Sequence, residues 1–302
     1  MQYVLADHQY GKAETRLVRI YRDAAQHQIR DLNVSTCLRG DFADAYLHGD
    51  QANVLPTDSQ KNTAYAFALQ HGVTSIEMYA GALARHFVDE IEPVQAARVD
   101  VDEYTWERVK LATGDHPHAF VRAGHEVRTT SVTVVGRGQE QHVWILSGLR
   151  DLVLLKSTGS EFAGFLHDRY TTLAETHDRV LASSLTASWR HVGPEADWDA
   201  LNASIRQVLI EQFAHVHSLA LQQTLWEMGK AVLAAHEDIA EIRLSAPNKH
   251  HFLVDLTPFG LDNRGEVFHA DDRPYGLIQC AVQRDDAPPA GPAWNVPGSF
   301  AG

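Results

Sequence analysis

The chain is poor in cysteine, has no long apolar run and carries fewer cations than anions. Only Cys37 and Cys280 occur among its 302 residues. Two thiols so far apart, each in a strand-like setting, read as buried free cysteines in a reducing compartment. They do not form a disulfide framework or a zinc cluster. No apolar stretch approaches the ~18 residues a membrane span requires. The opening residues Met1 to Asp7 lack the basic start and apolar core of a secretory signal. The closing Gly298 to Gly302 is not a peroxisomal Ser-Lys-Leu address, so the cytoplasm is the expected compartment. Lys and Arg total 26 against 39 Asp and Glu, a net charge of −13. Nucleic acid demands a basic face, so it is not an expected partner. An anionic substrate would be repelled at long range, so a site for one must bring its own cations. Nucleotide loops are missing too. Gly136-Arg137-Gly138 has no third glycine and opens no helix, and reads as a hairpin turn.

What is present is an ordinary globular composition, 44% apolar and 22% charged, over 302 residues. Two domains of about 150 residues are the natural expectation. Ala13 to Tyr21 and Gln28 to Leu38 alternate as half-buried strands, and Asn62 to Leu69 is expected to be a third. A helix follows, with Thr74 and Glu77 as a capping box, one apolar face (Ile76, Tyr79, Ala80, Leu83, Phe87), and Pro93 past its end. Ala97 to Val109 is again a strand. From about Glu126 the order restarts, with strands over Val127 to Val135, Gln141 to Leu155 and Leu185 to His191. Two helices come next. Asp197 opens the first, with Trp198, Leu201, Ile205, Val208, Leu209 and Phe213 on one face. Ser218 precedes the second, with Leu221, Leu225, Met228 and Val232. Strands close the chain at Ile242 to Leu244, Phe252 to Leu256 and Tyr275 to Val282, before a Pro/Gly-rich tail beyond Asp285. This is an α+β layout, antiparallel sheet with helices on one face, stated twice. The expected division is 1–124 and 125–302.

Candidate chemistry is scattered along this frame. Lys12 follows a turn glycine at the mouth of the first strand; desolvation would let such an amine shed its proton and act as a base. Thr57 follows Pro56, whose ring restricts the backbone, and Asp58 beside it favours a turn. Phe162 stands at a loop edge, where its ring offers a stacking face. Arg179 carries a rigid two-point fork for an anionic heterocycle, although Glu175 or Asp178 could instead pair with it. Gln222 and Gln223 lie on an apolar helical stretch, each with a donor and an acceptor side by side. Asn248 and His250 bracket a strand start after Pro247, a proton carrier beside an amide.

Eighteen histidines invite a metal reading. Yet His116/His118, His215/His217 and His250/His251 lack a His-Glu-x-x-His or cysteine context, and structural or surface roles are expected for them.

Taken together, Tyr10-Gly11-Lys12, Val54 to Thr63, Leu155 to Phe162, Tyr170 to Leu173 with Asp178-Arg179, Leu221-Gln222 and Pro247 to Phe252 resemble the urate oxidase family. The likeness runs from about residue 9 to about residue 283 and is nearer its bacterial members. Pro56 departs from the small residue many relatives carry there. The resemblance implies two tandem tunnelling-fold (T-fold) domains per chain. It also implies a homotetramer whose sheets close into a barrel-like tunnel, with active sites at subunit interfaces. It implies oxidation of urate by dioxygen and water to 5-hydroxyisourate and hydrogen peroxide, with no metal and no organic cofactor. By position, Lys12, Thr57 and His250 form the proton relay. Phe162 stacks on the purine, and Arg179 and Gln222 clamp its polar edge. Backbone near Leu221 and Ile278 adds contacts, Asn248 holds oxygen or water, and Thr57 and Asp58 come from a neighbouring chain. Two other readings stand beside this one: a T-fold enzyme acting on pterins or purine nucleotides, some with zinc, and an inactive purine-binding oligomer.

Overall fold

The computed structural model describes residues 3–295; the expectations about the two chain ends lie outside them. Eight strands are hydrogen-bonded in chain order. They are β1 (Tyr10–Tyr21), β2 (Gln28–Gly40), β3 (Val94–Leu111), β4 (Gly114–Val135), β5 (His142–Lys156), β6 (Leu181–His191), β7 (Ile239–Leu253) and β8 (Phe268–Gln283). The helices are α1 (Ala43–Leu47), α2 (Thr57–Gln70), α3 (Ile76–Glu90), α4 (Trp198–His215) and α5 (Leu221–Ala235). Two strands, helices and two strands therefore occur twice. The α+β expectation holds, and the expected division after residue 124 falls inside β4. The chain groups into two compact units, residues 1–148 with 190–199 and 288–302, and residues 149–189 with 200–287.

In the first unit β1 to β4 pair antiparallel, neighbour to neighbour. One face of this sheet is aliphatic, with Leu32, Val34, Leu38, Val99, Val101, Val132 and Val134 all buried. Against it lies α3, whose Ile76, Tyr79, Ala80, Leu83, Ala84 and Phe87 recur at helical spacing. Phe87 is fully buried, and truncating such a ring to Ala costs roughly 3–5 kcal/mol. The cap of α3 differs from the expected box: Ser75, one residue on from Thr74, accepts from the Met78 amide at 3.1 Å. Glu77 is instead buried, accepting from Ser147 Oγ at 2.7 Å and from Arg128 at 2.8 Å.

A larger correction concerns residues 57–70. Asn62 to Leu69 is not a strand but the body of α2. The alternation of Tyr65, Phe67 and Leu69 imitates a period of two, but Tyr65 and Leu69 are exposed. The face that meets the core is Gln60, Ala64 and Ala68, spaced by four. Small side chains let this helix approach closely while giving it almost no amphipathic signal.

The second unit repeats the plan. Ile205, Leu209 and Phe213 of α4 and Leu225, Met228 and Val232 of α5 pack with Leu149, Leu185, Trp189, Ile242, Leu244 and Val282. The two short closing strands expected at 242–244 and 252–256 are largely one strand, β7, which runs through Pro247 and ends at Leu253. The Gly136-Arg137-Gly138 hairpin turn is present between β4 and β5. Gly136 and Gly138 take positive φ of 77° and 58°, and Arg137 ties carbonyls of Ile91, Glu92 and Val94.

Candidate active site

Lys12, Thr57 and Asp58 belong to the first unit, the remaining candidates to the second. Lys12 faces Thr36 of β2 in register, just before a bulge that resumes at Thr15. Its neighbour must be glycine: a Cβ at Gly11 would lie 1.8 Å from the Thr36 carbonyl oxygen. The Lys12 amide donates to Thr36 Oγ1 at 3.2 Å, and that hydroxyl donates to Gln60 Oε1 at 2.6 Å. Gln60 returns through its Nε2 to the Leu55 carbonyl at 3.4 Å, and Tyr10 Oη donates to the same carbonyl at 3.1 Å. The strand holding Lys12 and the loop entering α2 are thus one hydrogen-bonded assembly. Thr57 is the first residue of α2, not a turn former. Pro56 is the N-cap and supplies no side-chain cap, so the α2 amides open toward solvent. Asp58 is held by Lys61 and by Asn62 Nδ2 at 3.0 Å. The Lys61 hydrogen bond chiefly depresses its carboxyl pKa, and the charge of Lys12 adds to this.

In the second unit Phe162 and Thr176 exchange backbone hydrogen bonds of 2.8 and 2.9 Å, and the Arg179 amide donates to the Ser160 carbonyl at 2.8 Å. This short ladder puts the Arg179 guanidinium over the Phe162 ring, 5.3 Å from its centroid. The two acidic neighbours that could have neutralised Arg179 are committed elsewhere. Asp178 accepts from Thr158 Oγ1 at 2.8 Å and the Gly159 amide at 3.1 Å, and Glu175 accepts from the Gly164 amide at 2.9 Å. Arg179 Nε is buried and, among the described residues, has no hydrogen-bond partner. Burial lowers the pKa of this guanidinium. A desolvated cation with an unused donor, lying against an aromatic face, is chemically able to receive a flat anion.

Leu221 opens α5. Its side chain is buried in the core, which leaves its backbone amide as the group it can offer. Gln223 accepts from the amide of Leu219, in the turn before the helix, at 2.9 Å, while Gln222 is exposed. The uncapped α5 N-terminus favours negative charge beside it. Ile278 packs against the same core, so it too offers backbone rather than side chain. On β7, Asn248 pairs with Gly276 and His250 with Asp271, the register slipping between them. Both side chains are half-buried, and the His250 ring stacks on Phe252 at 5.6 Å. Among the described residues no group of three or more His, Cys, Asp or Glu is arranged to hold a metal ion. Thr36, Gln60 and Glu161 escaped the sequence reading. Gln60 carried a readable signal, as a polar residue in a row with Ala64 and Ala68.

An α+β chain of tandem T-fold halves, with an arginine set over an aromatic ring in the second, is the class defined so far. A family model described as Uricase matches residues 8–133 and 145–279. The chain is 50% identical to the uricase of Arthrobacter globiformis over 292 residues, covering 97% of this chain and 94% of that one. It is 36% identical to the uricase of Aspergillus flavus over 294 residues, covering 91% and 95%. The crystal structure of the Arthrobacter globiformis uricase superposes with a TM-score of 0.91 at 50% identity, covering 97% and 99%. A uricase structure from Bacillus fastidious shares the fold, with a TM-score of 0.82 at 22% identity over 94% and 96%. The chain belongs to the uricase family.

Proposed function

We propose that the chain oxidises urate with the ten residues named from the sequence serving as its site. Urate, dioxygen and water give 5-hydroxyisourate and hydrogen peroxide. Two electrons leave the purine and reduce dioxygen, and water supplies the new hydroxyl. The observation that carries this assignment is Arg179: half-buried, with no carboxylate partner among the described residues, its donor unused, and set over Phe162.

Urate yields an electron to dioxygen only when electron-rich, so the site must remove protons and stabilise the resulting charge. Phe162 stacks on the ring, and Arg179 and Gln222 grip its polar edge. The amide of Leu221, at the positive end of α5, and the backbone of Ile278 add contacts. Lys12, Thr57 and His250 relay protons, with Lys12 as the base, and Asn248 holds dioxygen or water above the ring. No metal or organic cofactor takes part. Thr57 and Asp58 reach the substrate from a neighbouring chain, and four chains close their sheets into a tunnel. The single-sided pairing of β1 and β8 supports such closure. Among the described residues no helix is long and apolar enough to cross a membrane. Two free thiols, Cys37 and Cys280, support a reducing, cytoplasmic setting.

The test is to mix the protein with urate in metal-free buffer and follow loss of urate absorbance, oxygen uptake and peroxide together. All three are expected to proceed in equal amounts; absence of turnover overturns the assignment.

A further inference from the structure

Glu161 lies between Ser160 and Phe162, yet it has no place in the chemistry above. Its carboxylate accepts from two imidazoles, His217 Nε2 at 2.7 Å through Oε1 and His177 Nδ1 at 3.1 Å through Oε2. Each ring sits on a different substrate-binding segment. His177 lies two residues before Arg179. His217 lies four residues before Leu221, on the turn that enters α5. The backbone reinforces this geometry. The Glu161 amide donates to the Ser218 carbonyl at 2.7 Å, and the Ser218 amide donates to the Gly159 carbonyl at 2.9 Å. The His217 ring also passes close to Gly159, whose φ of +74° keeps that turn open; a Cβ there would come within 3.9 Å of Nδ1.

We propose that Glu161 is a positioning residue for the urate site, clamping the Phe162, Arg179 and Leu221–Gln222 segments to one another through His177 and His217. This rests on the assignment of those four residues to substrate. Asp178, Glu175 and Lys156, charged groups on these segments, are committed elsewhere. Asp178 is bound by Thr158 and Gly159, Glu175 by Gly164, and Lys156 Nζ by the Val216 carbonyl at 2.5 Å. Among the described residues, Glu161 is thus the one carboxylate that both rings address. The side chains of His177 and His217 are 77% and 59% exposed, against 23% for Glu161. Bonds to such open rings contribute little to global stability, so the role of the clamp lies in local geometry.

The sign of the effect distinguishes positioning from charge. Removing a carboxylate near an anionic substrate would tighten binding if Glu161 acted only through its field. Removing a clamp loosens the grip of Phe162, Arg179 and the α5 amides. The experiment is steady-state urate kinetics on Glu161→Ala, Glu161→Gln, His177→Ala and His217→Ala in the intact assembly, beside wild type. Glu161→Ala is expected to raise KM about 5- to 30-fold with kcat nearly preserved and Tm unchanged. Glu161→Gln keeps one acceptor oxygen and falls between Ala and wild type. His217→Ala exceeds His177→Ala, following the shorter bond. A KM that falls or stays constant in Glu161→Ala overturns the clamp. If that variant misfolds, unchanged KM in both histidine variants overturns it equally. A wild-type protein without urate turnover refutes the enzymatic assignment instead.

Discussion

Thr36 Oγ1 donates a 2.6 Å hydrogen bond to Gln60 Oε1 in the interior of the first unit, joining β2 to α2. Since the same hydroxyl accepts from the Lys12 amide, Lys12 and the helix that starts at Thr57 share one anchor. Gln60 is completely buried, so its loss leaves a hydroxyl without an acceptor where water does not enter.

Gln60→Leu is therefore expected to destabilise the protein by about 1–3 kcal/mol, the cost of an unsatisfied buried polar group. It should also lower kcat, because the α2 entry loses its registration against Lys12. Urea unfolding and urate turnover measure the two effects; full stability with full turnover would dismiss the anchor.

Lys12→Met and Thr57→Ala should each reduce turnover about 100- to 10,000-fold, the range for lost general acid–base chemistry. Near-normal rates in both would refute the relay.

Arg179→Gln should act chiefly on binding and raise KM for urate. The guanidinium has no structural carboxylate partner among the described residues, so thermal stability should hold or rise as a desolvated charge is removed. Unaltered urate affinity would count against the anion clamp.

Much of this fold was legible in the sequence, and the exceptions share a cause. The helices α3, α4 and α5 announced themselves because large apolar residues recur on one face. The helix α2 did not, because its buried row is Gln60, Ala64 and Ala68, while its large Tyr65 and Leu69 face outward. The site residues themselves were named through family resemblance. What holds them was not, since the bonds that tie separate elements together link distant positions. Thr36 and Gln60 are 24 residues apart, and Glu161 and His217 are 56 apart. No local pattern encodes such pairs.

Gly11→Ala tests the tightness of the Lys12 strand. The added methyl would collide with the Thr36 carbonyl at 1.8 Å, so backbone must move. A cost of about 1–3 kcal/mol and a clear loss of turnover are expected. A variant with wild-type Tm and activity would show that the bulge relaxes freely.

His191 predicts a pH dependence. Its Nε2 donates to Ser147 Oγ at 2.9 Å, that hydroxyl donates to Glu77, and Nδ1 is buried without a partner among the described residues. Burial pushes its pKa down from 6.5 to about 3. The ring is neutral when folded and takes a proton readily only when unfolded. Its contribution is therefore complete above pH 6.5 and is lost as pH falls toward 3, at up to about 1.4 kcal/mol per pH unit. Urea unfolding from pH 7.5 to 5 should show a steeper acid loss in wild type than in His191→Gln. Equal slopes would remove His191 as the cause.

Among the described residues, the strands β1 and β8 each have a neighbour on one side only. Their outer rows of amides and carbonyls stay adhesive until another strand covers them. If copies of the chain cover these edges, as proposed above, a newly synthesised chain enters a race between its siblings and any stray polypeptide. Slow, cool expression that lets siblings meet while few misfolded competitors accumulate should give the better recovery.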